Sequence, residues 1–271
     1  MKDEYFEANR KNWDDRVEHH SKSKFYDLEK FKETKNSLLR LEQKDLGDIS
    51  GKKILHLQCH FGMDTLSLAN QGAIVTGVDF SGEAIELARS LSEELNIPAT
   101  FIQSNIYTLQ ERITEKFDIV FTSYGVLAWL PDLEGWAKLI HHCLKPDGFF
   151  YIIDGHPYGQ IFDDKEKREL KFGYSYFTEG KVERFNDGYT YACDTEVVKN
   201  KVNYQWTHPI CSIINNLIGV GLRIEYFHEY PYSEFQAHPM LFKHDDGYFY
   251  FPPEFPIKTP LMFSIKASKK V

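Results

Sequence analysis

The stretch KKILHLQCHFGMDTLSLANQGAIVTGVDFSGEAIELARS, residues 52–90, decides the fold. After Gly51, residues 53–58 form a short apolar run suited to a buried strand. Residues 63–71 read as a helix, and Gly72 sits where a helix-ending glycine belongs. AIVTGVD (73–79) is again strand-like. Ser81 then caps GEAIELARSLSEEL, which lines Ala84, Leu87, Ala88, Leu91 and Leu95 along one face before Asn96 and Pro98 stop it. Strand, helix, strand, helix in this succession is the repeating unit of a parallel sheet.

The pattern continues downstream. ATFIQS (99–104) reads as strand, followed by a short helix and strand FDIVFTS (117–123). Residues 132–144 read as helix, then a Lys-Pro-Asp-Gly turn (145–148) and strand FFYIID (149–154). Near-continuous apolar strands fit burial on both faces. With LRIEYFHEY (222–230) and LMFSIKAS (261–268), the expectation is an α/β fold: a doubly wound, seven-stranded, mostly parallel sheet. The alternation breaks at 155–207, where stretches such as KVERFNDGYTYACDTEVV suggest an antiparallel strand insertion after the fifth strand. A helix over 208–220 and an aromatic loop over 231–258 follow. Upstream, 28–46 has apolar residues at helical spacing and predicts one amphipathic helix. The expected organisation is one domain, 1–271. It divides into a helical N-terminal cap (1–50), a half bearing the main ligand loops (51–154), a strand-rich cover (155–207) and a segment completing the sheet (208–271).

Composition narrows the function. The 271 residues carry a formal net charge of −8, which disfavours a duplex nucleic-acid partner, since such partners select a basic face. No run of eighteen apolar residues predicts a membrane span, and the charged start MKDEYFEANRKNWDDR is unlike a signal peptide. Cys59, Cys143, Cys193 and Cys211 show no CxxC spacing, which points to reduced thiols in a cytoplasmic protein. No metal is expected. His141 and His142 are adjacent on a helix and diverge by about 100°, and Asp163–Asp164 and Asp245–Asp246 read as solvated loop pairs.

Ligands of open α/β sheets bind beyond the carboxyl ends of the strands. The first strand is followed by Gln58-Cys59-His60-Phe61-Gly62 and the second by Asp79-Phe80-Ser81. Asp79 lies about 20 residues beyond the first turn, where a carboxylate can accept two hydrogen bonds from a ribose diol. Ser104-Asn105-Ile106 follows the third strand and offers an amide to an adenine edge. Ser123-Tyr124-Gly125-Val126 follows the fourth. Plainer roles stand beside these: Asp79 as a charge at a helix start, Asn105 as a cap, His60 as packing.

This ordered set resembles the class I, Rossmann-like S-adenosylmethionine-dependent methyltransferases. Their first motif is usually an acid, an apolar residue and Gly-x-Gly-x-Gly. The corresponding segment here is His56-Leu57-Gln58-Cys59-His60-Phe61-Gly62, which keeps only the last glycine. GAIVTGVDFSGEAIELAR is similar to the second motif, and FIQSNIYTL to the third, with Asn105 where Asp is commoner. FDIVFTSYGVLAWLPDLEGWAKLIHHCLKPDGFFYIID is similar to the fourth strand, its helix and the fifth strand. LHLQCHFGMDTLSLA resembles the variant of a bacterial subgroup. The resemblance covers 50–154, and more weakly Tyr5–Tyr26 and 204–268. It implies S-adenosylmethionine as co-substrate, with Gln58, Cys59, His60, Gly62, Asp79, Phe80, Asn105, Ile106, Ser123 and Tyr124 around it. It implies that the segment bearing Tyr5, Trp13 and Arg16 either folds over its methionine end or pins the N-terminus to the core. Methyl transfer to a small-molecule acceptor is the activity expected; the oligomeric state is left open.

Catalytic candidates follow the fourth and fifth strands: His156, Tyr124 and Tyr158, with Trp129, Trp206 and His208 as substrate contacts. His156 also fits a loop histidine satisfied by backbone. The aromatic cover (Tyr174, Tyr176, Phe177, Tyr189, Tyr191, Trp206) fits either a pocket wall or core. A nicotinamide-dependent oxidoreductase fits poorly, because Gln58 and His60 obstruct the close approach of a pyrophosphate. A cofactor-binding protein without turnover and an RNA methyltransferase are the remaining alternatives.

Overall fold

The computed structural model describes residues 3–163, 166–193, 195, 197–255 and 258–270. Three helices come first: α1 (Asp3–Ser21), α2 (Leu28–Thr34) and α3 (Arg40–Leu46). Then β1 (Lys53–Leu57), α4 (Met63–Asn70), β2 (Ile74–Asp79), α5 (Gly82–Leu95), β3 (Thr100–Gln103), β4 (Phe117–Ser123), α6 (Leu133–Cys143) and β5 (Leu144–Gly155) alternate. A short antiparallel pair follows, β6 (Glu183–Asn186) and β7 (Val202–Gln205), then α7 (Ile210–Gly219) and β8 (Leu222–Tyr230). A second small pair, β9 (Phe242–Lys243) and β10 (Phe249–Tyr250), precedes the last strand, β11 (Met262–Lys269). The main sheet has seven strands in the order β3-β2-β1-β4-β5-β11-β8. β1 to β5 pair in parallel, and β11 runs antiparallel to both β5 and β8. This is the expected mostly parallel sheet. Its strand order reverses between β1 and β4, and a crevice opens there at the carboxyl ends.

Period-two alternation explains how the sheet is held. Val120, Phe150 and Ile152 join one core layer with Trp136, Ile140 and Leu217 from α6 and α7. Phe121, Tyr151 and Ile153 point the other way, towards Leu41, Leu46 and Leu68. Trp136 is fully buried, edge-on to Phe150 at 5.3 Å between centroids. α5 starts as expected: Ser81 Oγ accepts the Ala84 N–H at 3.1 Å, and Ala84, Ala88, Leu91 and Leu95 turn inward.

Two segments depart from the sequence expectation. The helix expected over 28–46 is two helices. Lys35 adopts a left-handed conformation (φ 53°) that ends α2, and the Ser37 N–H donates to Ser67 Oγ at 2.8 Å. The Leu39 N–H then donates to Glu42 Oε1, which starts α3. Phe31, Leu38, Leu41 and Leu46 are all buried, so the apolar spacing runs on through a break made by polar contacts to another element. The Lys-Pro-Asp-Gly turn lies within β5 as an irregularity, with Asp147 at φ 61°; a Cβ on Gly148 would stand 2.9 Å from the Asp118 carbonyl oxygen. Between 155 and 207 the expected antiparallel insertion is present as the short β6–β7 pair, accompanied among the described residues by isolated bridges and a 3-10 turn at Gly159–Ile161. Of the acidic pairs, Asp164 lies outside the described residues.

Candidate active site

The loop after β1 solves a local problem. Gln58 and His60 have φ of 56° and 50°, so both take the left-handed conformation that favours glycine. The strain is about 1–2 kcal/mol per residue, and backbone bonds hold it in place. The Cys59 N–H donates to Val78 O, and the Gly62 N–H to Cys59 O, both at 2.9 Å. The His60 N–H donates to Asp79 Oδ2 at 2.9 Å. Gly62 itself has no substitute, since a Cβ there would stand 2.7 Å from the Phe101 ring. The backbone thus keeps a glycine-type path while two side chains project from it.

Asp79 closes β2 and is 7% exposed. Its Oδ1 accepts the Ser81 N–H at 2.9 Å. Burial pushes the carboxyl up to about 6, against the pull of these backbone donors. A cleft of about 660 Å³ opens above it at the carboxyl ends of β1 to β4. Gln58, His60, Asp79 and Phe80 line its base, and Asn105, Ile106 and Tyr107 one flank. Tyr124, Gly125, Val126, Trp129 and Leu130 line the other flank, and Phe6, Trp13, Tyr26 and Tyr191 its roof. Eight of the expected cofactor residues therefore share one cavity: Trp13, Gln58, His60, Asp79, Phe80, Asn105, Ile106 and Tyr124. Three do not line it. Cys59 is buried against Gly77, Gly62 begins α4, and Ser123 Oγ donates to Asp64 Oδ2 at 3.2 Å. Asn105 Oδ1 accepts the Tyr107 N–H at 3.1 Å, so Asn105 caps the following turn while also lining the cleft.

The roof is α1. Asp14 Oδ1 accepts from Ser81 Oγ at 2.6 Å, fastening α1 to the start of α5. Asn9 makes a reciprocal pair with the Tyr204 backbone (2.8 and 2.7 Å), and Asn12 Nδ2 donates to Asn200 O at 2.7 Å, fastening it to the cover. Arg16 is 6% exposed, with its guanidinium 5.1 Å from the Trp13 ring centroid and 5.7 Å from that of Trp129. Its Nε donates to Asn12 Oδ1 at 2.9 Å, and among the described residues no carboxylate forms an ion pair with it. His20 Nδ1 and His60 Nε2 are 3.0 Å apart, and His20 Nε2 lies 2.6 Å from Thr190 Oγ1. Burial pushes His20 down to about 2 and His60 to about 3, so both imidazoles are neutral. Trp13 Nε1, Gln58 Oε1 and His60 Nδ1 are buried without a hydrogen-bond partner among the described residues. Three free polar atoms on cleft-lining side chains are what a site with a polar ligand requires. Phe6, Tyr26, Tyr107 and the His20 relay escaped the sequence reading. Phe6, Trp13 and His20 recur every seven residues, a spacing that marks one helix face and was the available signal.

The catalytic candidates separate. Tyr124 lines the cleft, and its hydroxyl donates to Glu234 Oε2 at 3.3 Å. His156 lies outside the cleft: its Nε2 is 3.1 Å from Glu229 Oε1, its Nδ1 accepts the Tyr158 N–H, and its ring stands edge-on to Phe263. Tyr158 packs on Phe162, also outside. Trp206 and His208 border a separate hollow of about 200 Å³ and brace the 124–130 loop from behind. The Trp206 N–H donates to Ala128 O (2.9 Å), and His208 Nε2 meets Leu130 O at 2.6 Å. Trp129 lines the cleft; of the aromatic cover, only Tyr191 does.

Comparison with known proteins agrees with this geometry. Residues 54–148 match a methyltransferase domain family. Ubiquinone biosynthesis O-methyltransferases are 34% identical over 110 residues in Photorhabdus laumondii (40% of this chain, 45% of that protein) and over 138 residues in Proteus mirabilis (49% and 56%). The matched part of the chain thus spans about half the length of these relatives. Among solved structures, an S-adenosylmethionine-dependent methyltransferase from Mesorhizobium loti superposes with a TM-score of 0.56 at 18% identity, over 84% of this chain and 95% of that one. One from Methanosarcina mazei gives 0.56 at 18%, over 87% and 100%. Residues 54–148 are thus similar to a methyltransferase domain, and the sheet has the class I, Rossmann-like fold of the methyltransferases on which it superposes.

Proposed function

We propose that the protein is an enzyme that transfers the methyl group of S-adenosylmethionine to a small-molecule acceptor. The observation that carries this is the roofed cleft over the β1–β4 crevice, with a buried carboxylate at its base and, beside its roof, a buried guanidinium that forms no ion pair among the described residues. The residues fit that molecule at both ends. Asp79 accepts from the ribose diol, and Phe80, Asn105, Ile106 and Tyr107 surround the adenine. Arg16 offers two-pronged donation to the methionine carboxylate. Trp13, Gln58 and His60 supply the free polar atoms between. Bound S-adenosylmethionine supplies an already activated methyl group, so the chain's own work is alignment and exclusion of water. Asp154 fixes the wall that does the aligning: its carboxylate accepts the Gly125, Val126 and Gly155 N–H groups, holding Tyr124 and Trp129 in place.

A compact acceptor suits a closed, aromatic-walled cleft better than a polymer does. The walls lack lysine, the net charge is −8, and among the described residues no helix is long and apolar enough to cross a membrane. Four free cysteines fit a reducing cytoplasm. The LHLQCHFG loop supports the reading that the chain belongs to the bacterial subgroup it resembles. Calorimetry with S-adenosylhomocysteine, expected to give one site per chain, tests the cofactor. Transfer of labelled methyl to fractionated cell extract tests the acceptor, and label mainly in tRNA or rRNA would overturn the small-molecule reading.

A further inference from the structure

Gln58 is a side chain where the loop geometry favours glycine, and its amide is fixed at one end. Nε2 donates to Val126 O at 3.0 Å, across the gap between the ends of β1 and β4. That bond settles which amide atom is which: the carbonyl oxygen, Oε1, is the atom left over. Oε1 is buried, has no hydrogen-bond partner among the described residues, and belongs to a residue lining the cleft. A buried acceptor without a donor is a standing cost to the fold, and it is added to the backbone strain at φ 56°. An apolar side chain or glycine at this position would avoid the first cost, and glycine both.

The charge inventory of the cleft gives this oxygen a use. Asp79 is the one carboxylate among the lining residues, and the ribose claims it. A positive centre elsewhere in the cleft must be met by neutral groups: ring faces and carbonyl dipoles. We propose that Gln58 Oε1 is a fixed dipole that recognises the sulfonium centre of the methyl donor, making Gln58 a residue that discriminates the charged donor from its neutral product. The inference rests on the cofactor assignment made above. Its physics is that of preorganised electrostatics. The dipole is oriented before the ligand arrives, needs no reorganisation, and acts where water is excluded. A sulfonium has no N–H to donate, so an acceptor without a donor partner meets it by charge and dipole rather than by a hydrogen bond. Discrimination of this kind favours release: once the methyl has left, the thioether is neutral and the attraction is gone.

The test is the ratio of two dissociation constants, for S-adenosylmethionine and S-adenosylhomocysteine, measured by calorimetry on the full chain. Gln58→Met keeps the length of the side chain and removes the carbonyl. It is expected to raise the ratio Kd(S-adenosylmethionine)/Kd(S-adenosylhomocysteine) by about tenfold, while affinity for the homocysteine form stays within about threefold. Gln58→Glu places a full charge there and is expected to move the ratio the opposite way; it also decides the matter should the Met variant not fold. A merely structural role for Gln58 weakens both ligands together and leaves the ratio unchanged, and that result in the folded variants overturns the proposal. A response to the α-ammonium, common to both ligands, would leave the ratio unchanged too, and overturns it equally. Failure of the wild-type protein to bind either ligand overturns the cofactor assignment itself, and with it this inference.

Discussion

Replacing Asp79 by Asn tests the base of the cleft most directly. The wild-type carboxyl sits at about 6 in the ligand-free protein because burial disfavours its charge. A ribose diol donates two hydrogen bonds to the ionised form. Ligand binding therefore competes with a proton, and the apparent affinity falls once pH drops below about 6. If the protonated form does not bind, affinity at pH 5 is about tenfold weaker than at pH 7.5. Asp79→Asn presents one acceptor and no charge. It should lose about 1.5–3 kcal/mol at pH 7.5, the range for hydrogen bonds to a charged group, and its affinity should not vary between pH 5 and 7.5. Titration of S-adenosylhomocysteine into both proteins over that range is the assay. Stability moves in the other direction. The folded-state value lies above the model-peptide value of 3.8, so the folded protein binds the extra proton between about pH 4 and 6. The contribution to stability is present below about 4 and lost as pH rises through 6. Above pH 6 the neutral Asn removes the cost of the buried charge but leaves either the His60 or the Ser81 N–H without an acceptor, and the two effects oppose each other in the melting temperature. An Asn variant that melts lower and binds as well as wild type would refute the ribose assignment and leave Asp79 as a charge at the start of α5.

Other consequences can be measured alongside. Arg16→Met should weaken S-adenosylhomocysteine binding by about 1.5–3 kcal/mol and leave 5′-methylthioadenosine, which lacks the carboxylate, unchanged; equal losses for both ligands would show that Arg16 only holds the roof. Trp136→Ala should cost about 3–5 kcal/mol in urea unfolding, because the side chain is fully buried beside Phe150. His56 is buried against Thr65, and burial holds it at about 3. The unfolded chain therefore takes up its proton first as pH falls below about 6.5, and stability drops by about 1.4 kcal/mol per unit on that account. His56→Gln should make the loss between pH 6.5 and 5 measurably shallower. His156→Ala should leave S-adenosylhomocysteine affinity unchanged, since the ring lies outside the cleft; a tenfold loss would contradict that placement.

The sheet was legible because its signals are local. β4 and β8 coincide with the residues read from apolar runs, and α5 with the span from its serine cap to Asn96. Asp79 was legible as well, since position at the end of the second strand depends only on counting strands. The break between α2 and α3 was not, because Ser37 and Lys35 are held by Ser67, Asp64 and the Leu95 carbonyl, all far along the chain. The same holds for the roof. Nothing in the seven-residue spacing of Phe6, Trp13 and His20 says which surface they cover until Asn9 finds Tyr204 and Asp14 finds Ser81. His156 looked suitable because it follows a strand end, but β5 is flanked by antiparallel β11, and its exit leads towards Phe263 and away from the crevice.

Ser81 Oγ holds two jobs at once. It accepts the Ala84 N–H at the start of α5 and donates to Asp14 of α1, two residues from the carboxylate at the base of the cleft. Lifting α1 breaks that donation and leaves Asp14 with its ion pair to Arg10 on the same helix, while the cap of α5 stays whole. The nineteen residues of α1 are therefore caught at one point beside Asp79, at the base of the cleft. An Asp14→Ala protein, with that catch removed, is expected to exchange S-adenosylhomocysteine faster at nearly the same affinity, with on- and off-rates rising together in stopped-flow measurements; unchanged rates would show that α1 does not open at this end.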